Sequence, residues 1–262
     1  MKCAIVLSGL LRGHDKTFPS LKSNILDNYD CNIFCNTWSN QDEFYKIKKD
    51  NIYIEENTSY NLSGEQRYKT IEPDISCLSI YNASDSNIVN SDDYFSDSWE
   101  KHISDKGIQI DEQKYWIIFN IENILKQWYM VKLASKKLMK NIDDYDYIFR
   151  IRYDSMIENL PKLNEKNVSV MKSLNSSDFF TDDTFACGPK IFMKHYLNYY
   201  DYLKEYVFGY TEEILSSEWF DGNGAPLKFK AECMMNEYLR INKIDVDARE
   251  DIKIKHHIWP DK

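Results

Sequence analysis

Arg150, Arg152 and Asp154 are the residues of this sequence best placed to do chemistry. They close the stretch Asp143 to Asp154, read as DDYDYIFRIRYD. Its centre, Tyr147 to Tyr153, is rich in aromatic and β-branched residues and has the length of one strand. A spacing of two puts all three charged side chains on one face of an extended backbone. A buried central strand is normally apolar on both faces, and charge there is costly unless something opposes it. An anionic ligand would oppose the two arginines, and Asp154 would be free to hold a divalent cation beside it. An edge strand with a wetted polar face, or an Arg–Asp structural pair, accounts for the same residues.

The elements that must position them follow in chain order. Lys2 to Leu7 reads as a buried parallel strand, Ser8-Gly9-Leu10-Leu11-Arg12-Gly13 turns out of it, and Phe18 to Leu26 forms a helix. Ligands of open α/β sheets sit at the carboxyl ends of such strands, which makes Ser8, Gly9 and Arg12 binding candidates. Gly9 would allow close backbone approach and Arg12 would meet a phosphate. The turn is neither a GxGxxG fingerprint nor a Walker loop. Cys31 to Trp38 is a second strand ending in a polar and aromatic tip. Asn51 to Glu55 is a shorter third, giving β-α-β-α-β.

Residues 57–112 are rich in Ser, Asn and Asp with scattered aromatics. They are expected to form an irregular, acceptor-facing insertion or lid with short helices. Tyr115 to Met139 carries the clearest helical periodicity, with Gln127 placed to line a site and Trp128 to pack in the core. Val168 to Met171 is another strand. A loop through Thr181-Asp182-Asp183-Thr184 precedes a tyrosine-rich helix from Pro189 through Tyr206, whose rings read as packing. Gly222 to Pro226 is a turn before a helix over Phe229 to Ile241, with Glu232 in its first turns. Asp245 to Ala248 is a last strand, followed by His256 and His257.

Bulk properties bound the function. A length of 262 residues supports one domain, 1–262, with a full core. The net charge of -9 excludes a general nucleic-acid binder, so any phosphate site must be local. The six cysteines, at 3, 31, 35, 77, 187 and 233, form no CxxC pair and read as reduced thiols of a cytoplasmic protein. The apolar N-terminal run reads as a first strand and not as a signal peptide, and no run nears the ~20 apolar residues of a membrane helix.

Five pieces in order carry a resemblance: IVLSGLLRG at the first strand, NTW ending the second, a helix with Gln127 ahead of YDYIFRIRYD, DDTFACG before a helix, and AECMMNEYL before a final strand. Together they resemble nucleotide-sugar glycosyltransferases of the GT-A type, especially small capsule, lipopolysaccharide and giant-virus glycan transferases. The resemblance covers most of the chain outside 57–112. It implies a Rossmann-like, mixed but mainly parallel sheet flanked by helices, and a UDP-, GDP- or dTDP-sugar donor bound across the strand ends. It also implies a glycan acceptor, with peripheral membrane association through a lipid-linked acceptor. Arg-x-Arg-x-Asp takes the place of the family's Asp-x-Asp motif, with Arg152 where the first acid would stand. Charge on the departing diphosphate would then be met by Mn2+ or Mg2+ on Asp154, by the arginines, or by both. Glu232, Asp183 and Asp182 match the places of the base that activates the acceptor; Ser8, Gly9, Arg12, Gln127, Arg150, Arg152 and Asp154 would line the donor site. His256 and His257 would add a late metal or diphosphate contact. A non-catalytic nucleotide- or sugar-binding module is the alternative, and a phosphoryl transferase lacks its usual Walker loop and paired metal acids.

Overall fold

The computed structural model describes residues 1–9, 11, 13–39, 41–44, 47–49, 52–54, 68–71, 75–90, 93–94, 98–160, 162–163, 166–172, 181–217 and 231–256. Six consecutive residues of the first strand, β1 (Lys2–Gly9), are buried, as expected of a strand covered on both faces. It pairs in parallel with β2 (Asp30–Trp38) on one side and with β8 (Tyr147–Arg152) on the other. Between β2 and β8 the described strands are β3 (Gln41–Phe44), β4 (Ile47–Lys49), β5 (Ile52–Ile54), β6 (Tyr68–Ile71) and β7 (Asp85–Val89). β9 (Ser155–Asn159), β10 (Val168–Lys172), β11 (Thr181–Pro189), β12 (Val246–Arg249) and β13 (Lys253–His256) follow.

Seven of these form one sheet in the order β12-β10-β11-β8-β1-β2-β7, in which β11 alone runs against its neighbours. The protein is therefore of the α/β class, with a mixed, mostly parallel sheet. From β1 the chain moves outward to β2 and β7, then returns to place β8 on the opposite side of β1. That reversal makes the gap above β1 and β8 a topological switch point.

Helices cover both faces. α1 (His14–Leu21) begins after Gly13, whose φ of 64° is left-handed, and runs into a π turn over Lys22–Leu26. α2 (Trp99–Asp105) is capped by Ser98, whose hydroxyl accepts from the Lys101 N–H at 3.1 Å. α3 (Glu112–Lys140) is capped by Asp111, which accepts from the Lys114 N–H at 2.8 Å. Ile117, Ile121, Leu125, Trp128, Val131 and Leu138 of α3 pack on Ala4, Val6, Phe34 and Ile148. α4 (Lys190–Leu197), α5 (Tyr199–Gly209), α6 (Thr211–Leu215) and α7 (Ala231–Ile241) share that face. The opposite face packs Cys3, Ile5, Leu7, Ile33, Phe149, Ile151 and Cys187 against Leu21 and Ile25.

Several sequence expectations are corrected. The third strand of the sheet is β7, inside the stretch read as an insertion; β5, in the stretch expected to supply it, pairs with β4 in a separate two-stranded ladder among the described residues. Asp182 and Asp183 lie in strand β11 and not in a loop. The tyrosine-rich helix is two helices, broken at Asn198. β12 is not the last strand, since β13 follows and pairs with β9 outside the main sheet. Four free cysteines, Cys3, Cys31, Cys35 and Cys187, are found among the described residues. No helix among the described residues is long and apolar enough to cross a membrane.

One buried carboxylate ties Tyr94 and the start of α2 to α3. Glu122, 5% exposed, accepts from the Tyr94 hydroxyl at 2.9 Å and from the Glu100 N–H at 2.7 Å. Burial raises its pKa against the pull of these donors. A raised carboxyl pKa means the native state binds a proton more tightly than the unfolded chain. Stability from this group is therefore greatest below the ordinary carboxylate range and is lost as pH rises through the folded-state pKa. Glu122→Gln is expected to flatten that part of the profile. Glu122→Ala, which strands both donors, is expected to cost about 1–3 kcal/mol per donor in denaturant titration.

Candidate functional site at the switch point

The site is built from the carboxyl ends of β1, β2 and β8. Pairing places Ser8 opposite both Arg152 and Asn36, so these three occupy one row on the α3 side of the sheet. One row below, Arg150 is opposite Val6 on β1 and Ala186 on β11. Of the three residues expected on one face of an extended strand, Arg150 and Arg152 share it, while Asp154 lies beyond the strand in the turn that follows.

Arg150 is fully buried, with its guanidinium carbon 5.7 Å from the centroid of the Trp128 ring. A guanidinium cannot deprotonate to relieve that burial, so the ring face contributes to holding the charge there. Trp128 is thus a core residue, as its helical position implies, and also a partner of the site cation. Arg152 keeps a quarter of its side chain exposed and donates from Nε to Asp154 Oδ1 at 2.9 Å and from Nη2 to Oδ2 at 2.8 Å. Strand β8 ends at Arg152, and the turn at Tyr153 and Asp154 brings the carboxylate onto the guanidinium fork. Asp154 itself is 2% exposed. Among the described residues, the guanidinium groups of Arg150 and Arg152 and the carboxylate of Asp154 stand together at this strand end.

The turn is pinned from α1. Thr17 donates from Oγ1 to the Tyr153 carbonyl at 2.6 Å, and Ser20 Oγ accepts from the Ile157 N–H at 3.0 Å. Thr17→Val is expected to cost about 1 kcal/mol of stability, through one buried hydrogen bond, and to loosen the Arg152–Asp154 turn; thermal unfolding measures the first effect.

Gly9 has φ +117°, its carbonyl accepts from Thr37 Oγ1 at 3.1 Å, and a Cβ there would meet nothing within 4 Å. Backbone strain, not crowding, demands glycine, and the space above it is open. Gly9→Ala is expected to cost about 1–3 kcal/mol, read as a fall in denaturation midpoint. Ser8 Oγ and Asn36 Oδ1 are buried without a hydrogen-bond partner among the described residues, while Asn36 Nδ2 reaches Met130 Sδ at 3.1 Å. Such groups are where a polar ligand atom or a water would be accommodated.

Other candidates stand as follows. Gln127 is half-buried on α3, one residue before Trp128. Arg12 and His257 lie outside the described residues. β11 runs against β8 with Phe185 opposite Ile151, so its first residues, Asp182 and Asp183, are at the same sheet end as Arg152. Glu232 is the second residue of α7, which packs against β11. His256 pairs with Ser155, next to Asp154. Only the backbone of these four acids and bases is described. Among the described residues no three His, Cys, Asp or Glu side chains gather as a metal site. Asn36 and Thr37 were not expected at the site. Their signal was a pair of polar residues ending an otherwise buried strand, and only the register with Ser8 gives it meaning.

Comparison with protein-family models and with curated proteins gives no match.

Proposed function

We propose that this protein is a GT-A-type glycosyltransferase that moves a sugar from a nucleotide-sugar donor to a glycan acceptor hydroxyl. The observation that carries the reading is Arg150 and Arg152 on one face at the carboxyl end of β8, beside Ser8 and Gly9 at the switch point. Nucleotides are met at such points in doubly wound sheets, and a diphosphate leaving group needs positive charge that is already in place.

In this reading the quarter-exposed Arg152 reaches the diphosphate. Arg150 adds its field from below, and Asp154 orients Arg152 through both of its oxygens. Ser8 and Asn36 offer hydrogen bonds to the nucleoside. Glu232, with Asp183 and Asp182 as the other candidates, takes the acceptor proton. A bound Mn2+ or Mg2+ would supply further charge stabilisation. The described donor set is one carboxylate already engaged by Arg152, which by itself falls short of the several oxygen ligands these ions take. Leaving-group charge is assigned in this reading to the arginines, which stand at the carboxyl end of β8. His256 is the position from which a second ligand would come.

The test is thermal unfolding with UDP, GDP and dTDP, with and without EDTA. At a hundred times its Kd, the cognate nucleotide stabilises by about 2.7 kcal/mol. Binding is expected to persist in EDTA. Its loss would place a cation on Asp154, and no response to any of the three would remove the nucleotide site.

A further inference from the structure

The tyrosine-rich segment supplies more than packing. Tyr199 and Tyr200 are buried, but Tyr202, Tyr206 and Tyr210, spaced by four, share one side of α5 and its C-terminal cap and keep exposed surface. Their ring centroids are 6.1 Å apart between Tyr202 and Tyr206 and 4.8 Å between Tyr206 and Tyr210. Tyr238 of α7 extends the row, 5.0 Å from Tyr202. The end of this row is open, since Tyr210 is 49% exposed.

Carboxylates border the row. Glu237 lies near Tyr202 and Tyr206, and Glu213 near Tyr206; after burial and a neighbouring phenol, they help raise the Tyr206 phenol above its usual pKa. Glu237 is gripped by the Arg240 fork at 2.8 and 2.6 Å, and Asp201 by Lys132 at 2.6 Å.

We propose that this strip is a carbohydrate-binding surface that takes an uncharged oligosaccharide. Pyranose rings present flat C–H faces that cover aromatic rings, and their hydroxyls need acceptors at the edge of the stack. Glu237 and Asp201, held in salt bridges, provide acceptor lone pairs with their charge offset, which suits a neutral hydroxyl-bearing ligand better than a cationic peptide. An anionic membrane surface fits worse still, because it attracts basic segments and this chain is acidic. The strip lies on α5 and α7, not on the strand ends that hold Arg152. It extends the proposed function by giving a long acceptor a second hold, and it stands without that reading.

Chitohexaose and cellohexaose, titrated calorimetrically into the full chain, test the proposal, with octalysine and phosphatidylserine vesicles as competing probes. At least one hexasaccharide is expected to bind. Tyr210→Ala, at a half-exposed position that leaves the fold intact, is expected to weaken it up to about tenfold, and Tyr210→Phe is expected to retain it. Tyr206→Ala adds a second reading of the same strip. Failure of both saccharides to bind, equal binding by Tyr210→Ala, or binding of octalysine or vesicles alone would overturn the proposal. Saccharide binding without any nucleotide binding would leave the strip standing and defeat the transferase reading.

Discussion

Arg152→Ala is expected to weaken nucleoside diphosphate binding by about tenfold to over a hundredfold. This corresponds to the roughly 1.5–3 kcal/mol of a charge-assisted hydrogen bond. The structure sharpens why this residue, and not Arg150, is the one to change. Arg150 is sealed under Trp128, so its removal would open a buried space and confound binding with stability. Arg152 is a quarter exposed, and its loss removes a group that can reach a ligand. It also leaves Asp154, 2% exposed, without its bidentate partner, so Arg152→Lys belongs beside it. Lysine keeps the charge but not the fork, and is expected to bind with intermediate affinity. Isothermal titration with UDP, GDP and dTDP measures both. Unchanged affinity in Arg152→Ala would make the Arg152–Asp154 pair structural.

Glu232→Gln is expected to have the largest effect on rate, about 10²- to 10⁴-fold in turnover, with nucleotide affinity near wild type. The placement behind this is the second position of α7, against the antiparallel strand β11 whose first residues are at the switch-point edge. Asp183→Asn and Asp182→Asn are the parallel variants. A base acts on the acceptor proton, so the kcat effect should appear without a matching change in nucleotide Kd. Normal turnover in Glu232→Gln passes the role to whichever of the two aspartates shows that split.

The chemistry-bearing strand was legible because two-residue spacing converts directly into a shared face. Arg150 and Arg152 needed no tertiary information to be placed together. The Arg152–Asp154 contact was only half legible. The spacing put the two on one side, but the turn after Arg152 is what folds the carboxylate onto the fork and engages both oxygens. β7 could not be read as part of the sheet, because Asp-Ser-Asn-Ile-Val is an edge strand with its central residues exposed and no apolar run. Asp182 and Asp183 read as a loop for the same reason, since a polar start hides a strand whose apolar part, from Phe185, is buried between β8 and β10. Asn36 emerges only when register sets it beside Ser8. The helix break at Asn198 is invisible to periodicity, since tyrosines continue on both sides of it.

The central claim is tested most directly by nucleoside diphosphate release from a panel of UDP-, GDP- and dTDP-sugars, comparing wild type with Arg152→Ala. The account predicts release from one nucleotide class by the wild type and a loss of at least about tenfold in kcat/KM for the variant. Release that is equal in both proteins, or absent for every donor while a nucleoside diphosphate still binds, would contradict it; the second result would leave a nucleotide-binding module in place of a transferase.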